Sequence, residues 1–234
     1  MISNAALYEA SVWVIPAIMA ITLHEAAHGF VAYQFGDDTA YKAGRVTANP
    51  FRHIDLVGTI LLPAMLLLAR SPFLFGYAKP VPVNYWHLRN PRRDMVWVAA
   101  AGPASNILQA TVVGALVHLI PFAPVTWQGW IGDNFANAIL LNLLLAVFNM
   151  IPLPPLDGGR VAVGLLPRPL AMPLARLERY GLFILIALAL VLPYATAGRF
   201  NILADVIVPP AIFLYRVIMF VTGNGLVPVS GIES

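Results

Sequence analysis

The sequence HEAAH at positions 24–28 contains the residue types and spacing best suited to chemistry. On a helix, His24 and His28 are four residues apart and project from one face, so both imidazoles can bind one metal ion. Glu25 lies beside that face, where a general base can take a proton from a water on the metal. The motif lies within an apolar stretch, where unpaired ionisable groups are unfavourable. A bound metal ion is therefore the simplest partner for these side chains.

A catalytic zinc site of this type needs a third protein ligand and one open position. The chain has no cysteine, so the ligand must be Asp, Glu or His. Asp157 is the favoured candidate because it follows three prolines that must end a helix. It also precedes a Gly-Gly pair that permits close backbone approach. Asp157 is thus well placed to turn its carboxylate into a cavity.

Four other acidic residues are weaker candidates for the third ligand: Glu178, Asp205, Asp133 and Asp94. Glu178 fits a loop residue that pairs with Arg176 or Arg179, and Asp133 and Asp94 fit helix N-termini. Asp205 lies in the last apolar stretch with Arg216 as a possible partner. It stays open as an alternative to Asp157.

The composition shows what kind of elements must position these residues. Of the 234 residues, 59% are hydrophobic and 11% are charged, and the mean hydropathy is +0.77. A soluble domain of this length cannot bury so much apolar surface, and the net charge of +3 is too small for a nucleic-acid-binding protein. We therefore predict an all-α polytopic membrane protein with five to six spanning helices. The predicted spans are 11–35, 95–121, 133–153, 180–194 and 200–222, with a re-entrant or short extra segment at 56–75.

Basic residues predict the orientation of these spans. Twelve of the 14 Lys and Arg lie in 36–94 and 160–179, whereas the connection 122–132 has none and carries two Trp. Because basic loops remain in the cytoplasm, segments 11–35 and 133–153 both run inward and are parallel. We expect one membrane-embedded domain over 1–234, with the metal-site core at 11–166 and C-terminal helices at 174–222.

Three motifs together resemble the site-2 proteases, the intramembrane zinc metalloproteases: HEAAHGF at 24–30, AGPASN at 101–106 and NMIPLPPLDGGR at 149–160. The resemblance implies one Zn²⁺ per chain, held by His24, His28 and Asp157, with Glu25 as the general base. Asn149 matches the family's Asn that holds substrate or the oxyanion, and Asn106 matches the Asn of the helix between the two metal-binding helices. By residue type alone, these Asn and Asn142 are equally typical of hydrogen bonds between helices.

The resemblance is to the compact bacterial branch of the family, without PDZ or CBS domains. It implies an endopeptidase that cleaves transmembrane segments of single-span membrane proteins in the lipid bilayer. The expected location is a prokaryotic cytoplasmic membrane, with the active-site loops toward the cytoplasm and no nucleic-acid partner.

Two alternatives remain open from the residues. A divalent-metal transporter or sensor explains ligands within the membrane, although it gives Glu25 no task. A different peptidase class would use Glu178 as the third ligand.

Two segments outside the motifs bear on access to the site. The run 76–84, GYAKPVPVN, favours extended backbone and predicts an edge to which an unwound substrate adds as a strand. His53 either lies near the metal or gates access, or is a loop residue bonded to Asp55. His87 and His118 are expected to be a loop residue and a structural hydrogen-bonding residue.

Overall fold

The computed structural model describes residues 3–55 and 79–225, together with the single positions 58, 61 and 65. The predicted re-entrant segment 56–75 lies outside the described residues, apart from those three positions. Of the predicted extended run 76–84, residues 79–84 are described.

The described part of the chain is helical, without strands. Its α-helices are α1 (Asn4–Gln34), α2 (Thr39–Lys42), α3 (Pro91–Leu116), α4 (Val125–Asn149), α5 (Asp157–Leu165), α6 (Arg168–Arg176), α7 (Gly181–Ile186), α8 (Leu192–Ala195) and α9 (Val208–Val221). Short 3₁₀ segments lie at Pro50–Arg52, Tyr85–His87, Val117–Phe122 and Leu177–Tyr180. Two π-helical segments, Ala187–Val191 and Leu203–Ile207, precede α8 and α9.

Four helices within the described ranges are long and apolar enough to cross a membrane: Leu7–Gln34, Pro91–Phe122, Val125–Asn149 and Ala204–Val221. They confirm an all-α, multi-pass membrane protein. The predicted span 180–194 is helical but consists of short α and π segments.

The structure corrects the prediction for 122–132. Pro124 caps α4, which begins at Val125, so most of the expected connection is the first part of that helix. Asp133 therefore lies inside α4 and not at its N-terminus. Its carboxylate accepts a hydrogen bond from the Tyr8 hydroxyl at 2.5 Å.

Helix α3 lies at the centre and packs against α1, α4 and α5. Buried residues of α3, α4 and α9 form a core of Ala110, Ile139, Leu143, Ala211, Ile218 and Met219. Small residues such as Ala20 and Ala110, both fully buried, allow the helices to approach closely.

Contacts along α1 and α4 show that these two helices run parallel, as the sequence predicts. The Trp130 indole donates to the Ser11 hydroxyl at 2.9 Å, and the Asn137 amide donates to the Val12 carbonyl at 3.0 Å. Further along both helices, Asn106 of α3 contacts Ala20 and Asn142 together. The last turn of α1 and the end of α4 therefore lie toward the same side of the molecule.

Candidate metal centre

Two histidines of α1 and one aspartate at the start of α5 bring three ligand atoms together. The Nε2 atoms of His24 and His28 are 3.1 Å apart. They lie 3.2 and 3.3 Å from Oδ2 of Asp157, respectively. All three residues are buried, and their ligand atoms form a nearly equilateral triangle that could hold one metal ion.

The other ring nitrogen of each histidine is already bonded. Nδ1 of His24 contacts Oδ1 of Asn106 at 2.5 Å, and Nδ1 of His28 contacts the Val98 carbonyl at 2.7 Å. Because both partners are acceptors, each Nδ1 must carry the proton. Each neutral ring then presents the lone pair of Nε2 to the centre of the triangle, as a metal-binding histidine does.

The triangle has the dimensions of a zinc site. Tetrahedral ligands about 2.0–2.1 Å from zinc lie about 3.3–3.4 Å from one another. Oδ2 of Asp157 is buried and has no hydrogen-bond partner in the described part of the chain. Three facing lone pairs repel one another unless a cation lies between them, so the donor set fits zinc.

Gly102 of α3 leaves the space in front of this triangle open. A Cβ at position 102 would lie 2.5 Å from Nε2 of both His24 and His28. Only glycine therefore permits α3 to pass so close to the ligand atoms. The sequence signal for this residue was the AGPASN motif, although the motif does not indicate what the glycine faces.

A break between α4 and α5 positions Asp157. Helix α4 ends at Asn149, three residues before Pro152, which cannot continue a helix, and α5 begins at Asp157. A Cβ on Gly158 would lie 2.2 Å from the Met150 carbonyl oxygen, and one on Gly159 would lie 2.1 Å from a backbone nitrogen. The Gly-Gly pair thus lets the start of α5 pack directly on the backbone of the break, as predicted.

Glu25 lies next to this centre on α1 and contacts the segment 79–84. Its Oε2 accepts a hydrogen bond from the backbone N–H of Val81 at 2.8 Å. The buried Arg45 donates to the carbonyls of Arg52 and Lys79 and thereby holds the start of the segment. No pattern in the sequence indicates these backbone contacts.

The structure places Asn106 in contact with the candidate metal centre, whereas the hydrogen bond of Asn149 stays within its own helix, α4. Asn106 is fully buried and contacts His24 directly. Asn149 is the last residue of α4, and its amide nitrogen donates to the Leu145 carbonyl at 3.0 Å.

The alternative acidic ligands have other partners. Glu178 contacts Arg160 at 3.4 Å, instead of Arg176 or Arg179. Asp205 accepts the backbone N–H of Asn201 at 2.7 Å. Asp94 accepts the N–H of Asn90 at 2.7 Å in the first turn of α3, which is the predicted helix-terminal role.

The remaining histidines lie outside the triangle. His53 is buried, and its Nε2 contacts the Thr47 carbonyl at 3.1 Å, which differs from the expected bond to Asp55. Burial lowers the pKa of His53, and the charge of Arg45 adds to that effect. His87 is half exposed, and His118 contacts the Thr222 carbonyl at 2.7 Å.

Comparisons with known proteins agree with this site. The model of Peptidase family M50 matches residues 113–192, which include Asp157 and Asn149. A Bacillus subtilis protein named "Putative zinc metalloprotease YwhC" is 39% identical over 201 residues, covering 81% of this chain and 88% of its own length. The Mycobacterium tuberculosis protein "Putative zinc metalloprotease Rip2" is 32% identical over 141 residues, covering 60% of this chain and 52% of the relative. No solved structure gives a significant match.

Proposed function

This chain belongs to peptidase family M50, the site-2 proteases, and from that premise we propose which of its residues carry out the reaction. The predicted activity, that of an intramembrane zinc metalloprotease, is confirmed by the family. In our proposal His24, His28 and Asp157 hold the zinc ion. Glu25 is the general base, and Asn149 and Asn106 support the reaction.

The triangle of ligand atoms is the observation that carries the metal assignment. Its edges of 3.1–3.3 Å match a tetrahedral zinc site. The Nδ1 atoms of both histidines are hydrogen-bonded to other acceptors, Asn106 and the Val98 carbonyl. Zinc in such a site acts as a Lewis acid and makes a water nucleophilic near neutral pH.

We propose that Glu25 handles the proton of the reaction. Its carboxylate takes a proton from a water as the oxygen of that water attacks the peptide carbonyl, and then gives the proton to the amine nitrogen that leaves as the C–N bond breaks. The N–H of Val81 holds Oε2 of Glu25 in place. Oε1 of the same carboxylate can then accept the proton.

The two asparagines have different tasks in this proposal. One N–H of the Asn149 amide is bonded within α4, and an amide has a second N–H. We assign that second donor to the substrate carbonyl, where negative charge develops. Asn106 acts through His24 and is a positioning residue.

The family acts on membrane proteins within the bilayer. For this chain we propose single-span proteins as substrates and a prokaryotic cytoplasmic membrane as the location, with the active-site loops toward the cytoplasm. We also propose one membrane-embedded domain over 1–234, with its metal-site core at 11–166 and its C-terminal helices at 174–222.

The test is cleavage of single-span reporter proteins by the enzyme in liposomes, comparing wild type with Glu25→Gln. General acid–base catalysis contributes about 10²–10⁴-fold, so we expect Glu25→Gln to lower the cleavage rate at least about a hundredfold. Zinc should remain bound one to one, because Glu25 is not a ligand. Glu9→Gln, an exposed substitution on the same helix, is the matched control and should cleave as wild type does.

A result of equal cleavage by Glu25→Gln and wild type would contradict the assignment of the base. The transporter alternative is not favoured by the family, and it predicts metal flux into the liposomes that survives Glu25→Gln. Flux without any cleavage would overturn the proposed function.

A further inference from the structure

Asn142 of α4 contacts Asn106, which in turn contacts the proposed ligand His24. The proposed reaction assigns no role to Asn142. It is 2% exposed in a predominantly apolar helix. Its Oδ1 accepts a hydrogen bond from Nδ2 of Asn106 at 2.7 Å, and its own Nδ2 donates to the Ala138 carbonyl at 2.8 Å. Asn142 is therefore the first link of a chain that ends at the metal site.

Each link of this chain determines the orientation of the next. The Ala138 carbonyl can only accept a hydrogen bond, so the NH₂ group of Asn142 must face it and the Oδ1 of Asn142 must face Asn106. The NH₂ group of Asn106 is thereby directed toward Asn142 and the Ala20 carbonyl, at 2.7 and 3.2 Å. The Oδ1 of Asn106 is left for His24.

The last link determines the tautomer of His24. Because Oδ1 of Asn106 is only an acceptor, Nδ1 of His24 must donate, and the lone pair must be on Nε2, which faces Asp157 at 3.2 Å. The Val98 carbonyl fixes the same tautomer of His28 directly, because it accepts from Nδ1 and, as a backbone group, cannot rotate. The Asn106 amide can rotate by half a turn, and two acceptors oppose that rotation: the Ala20 carbonyl at 3.2 Å and, through the shorter contact of 2.7 Å, Asn142.

We infer that Asn142 is a positioning residue for the zinc site, which fixes the amide of Asn106 and through it the Nδ1–H tautomer of His24. This inference rests on the proposed metal site. Without Asn142 the 3.2 Å contact with the Ala20 carbonyl is left to hold the Asn106 amide, which can then turn its NH₂ group toward His24 more readily. His24 would then place its proton on Nε2, where it blocks the metal.

The chain supplies a closely matched control in Asn134. This residue is also buried in α4, and its Nδ2 donates to the Trp130 carbonyl four residues earlier at 2.9 Å. Asn134→Leu and Asn142→Leu remove the same bond to the helix backbone. Of these two substitutions, only Asn142→Leu removes the contact with Asn106.

The first experiment measures zinc affinity by chelator competition on the purified, folded protein. Loss of a residue that orients a metal ligand costs about 10–100-fold in affinity, and we expect that loss for Asn142→Leu. Asn134→Leu should bind zinc within about twofold of wild type. The double variant Asn106→Leu, Asn142→Leu should bind no more weakly than Asn106→Leu alone, because both act along one chain.

The second experiment needs no loaded enzyme and reports the tautomer directly. Ring-nitrogen NMR of zinc-free, histidine-labelled protein should show the proton on Nδ1 of both His24 and His28 in wild type. Asn142→Leu should give mixed tautomers at His24 and leave His28 unchanged. If Asn142→Leu does not fold, the wild-type spectrum still decides, because a neutral His24 ring with its single proton on Nε2 overturns the inference.

The outcomes separate this inference from the proposed function. Wild type that binds no zinc contradicts the metal site itself. If wild type binds zinc and Asn142→Leu binds it equally well, only the role of Asn142 is contradicted. Independent, multiplying losses in the double variant contradict the chain through Asn106.

Discussion

Asp157 is the third metal ligand favoured by the sequence, which left Glu178 and Asp205 as alternatives. Oδ2 of Asp157 completes the triangle with His24 and His28, whereas Glu178 pairs with Arg160. We predict that Asp157→Asn lowers zinc affinity by more than about a hundredfold, exceeding the loss typical of residues outside the ligand set. Glu178→Gln should retain zinc at wild-type affinity, as measured by chelator competition. The reverse pattern would assign the ligand to Glu178.

Asp37, which follows α1, is expected to make the stability of the fold depend on pH. Burial raises its pKa, but hydrogen bonds from the hydroxyl and N–H of Thr39 and from the N–H of Asn84 outweigh it, and the pKa is lowered from 3.8. A carboxylate whose pKa is lowered by folding stabilises the fold at pH values above its ordinary pKa. This stabilisation is lost as the pH falls through the lowered pKa of the folded state.

We therefore predict that Asp37→Asn lowers the melting temperature in detergent at neutral pH, and that its difference from wild type narrows below about pH 4. Asp38→Asn is the control, since it removes only an exposed ion pair with Lys42 and should melt close to wild type at neutral pH. A difference between Asp37→Asn and wild type that stays constant down to pH 3 would contradict the prediction.

Among the structural elements, the segment 79–84 contacts Glu25, the proposed general base. The sequence predicts extended backbone here, in which Val81 and Val83 have their N–H groups on one edge. The N–H of Val81 is bonded to Glu25, so Val83 carries the other donor of this edge. If this edge binds an unwound substrate as an added strand, Val83→Pro removes that donor and keeps the contact between Val81 and Glu25. We predict about a fivefold loss of cleavage of a single-span reporter, on the order of one lost backbone hydrogen bond, with zinc retained.

Pro82→Ala is the control for this prediction. It restores an N–H on the opposite edge of the same segment and should leave cleavage close to wild type. Unchanged cleavage by Val83→Pro would show that the substrate does not pair with this edge.

The elements that position the site follow from the sequence because their causes are local. The four-residue spacing of His24 and His28 requires only a helix, and the prolines before Asp157 require only a break. The start of α4 was mispredicted because a Trp-rich segment is equally compatible with an interfacial turn and with a helix that continues into the interface. In the structure Pro124 occupies the N-cap position and the Trp-rich segment is helical.

Contacts between elements could not be predicted in the same way. Which acceptor faces Nδ1 of His24 depends on the rotation of α3 about its axis, which the composition of α3 does not determine. His53 shows the same limit, since the nearby Asp55 was the obvious partner and the Thr47 carbonyl is the one found. Backbone groups such as the Val98 carbonyl carry no sequence signal at all.

The parallel arrangement of α1 and α4 has a consequence for the whole molecule. The exposed residues Lys42, after α1, and Arg168, after α4, must lie on the same side of the membrane. Val125, which begins α4 and is 83% exposed, must lie on the other side. From the concentration of Lys and Arg in 36–94 and 160–179, we propose that the first side faces the cytoplasm.

The absence of cysteine from the chain makes this orientation directly measurable, because wild type gives no labelling background. In right-side-out vesicles, a membrane-impermeant maleimide should label Val125→Cys but neither Lys42→Cys nor Arg168→Cys. The latter two should react only after the vesicles are permeabilised. Opposite labelling of Lys42→Cys and Arg168→Cys would contradict parallel spans. Labelling of both, with Val125→Cys protected, would keep the fold and reverse the orientation, and the active-site loops would then face the exterior.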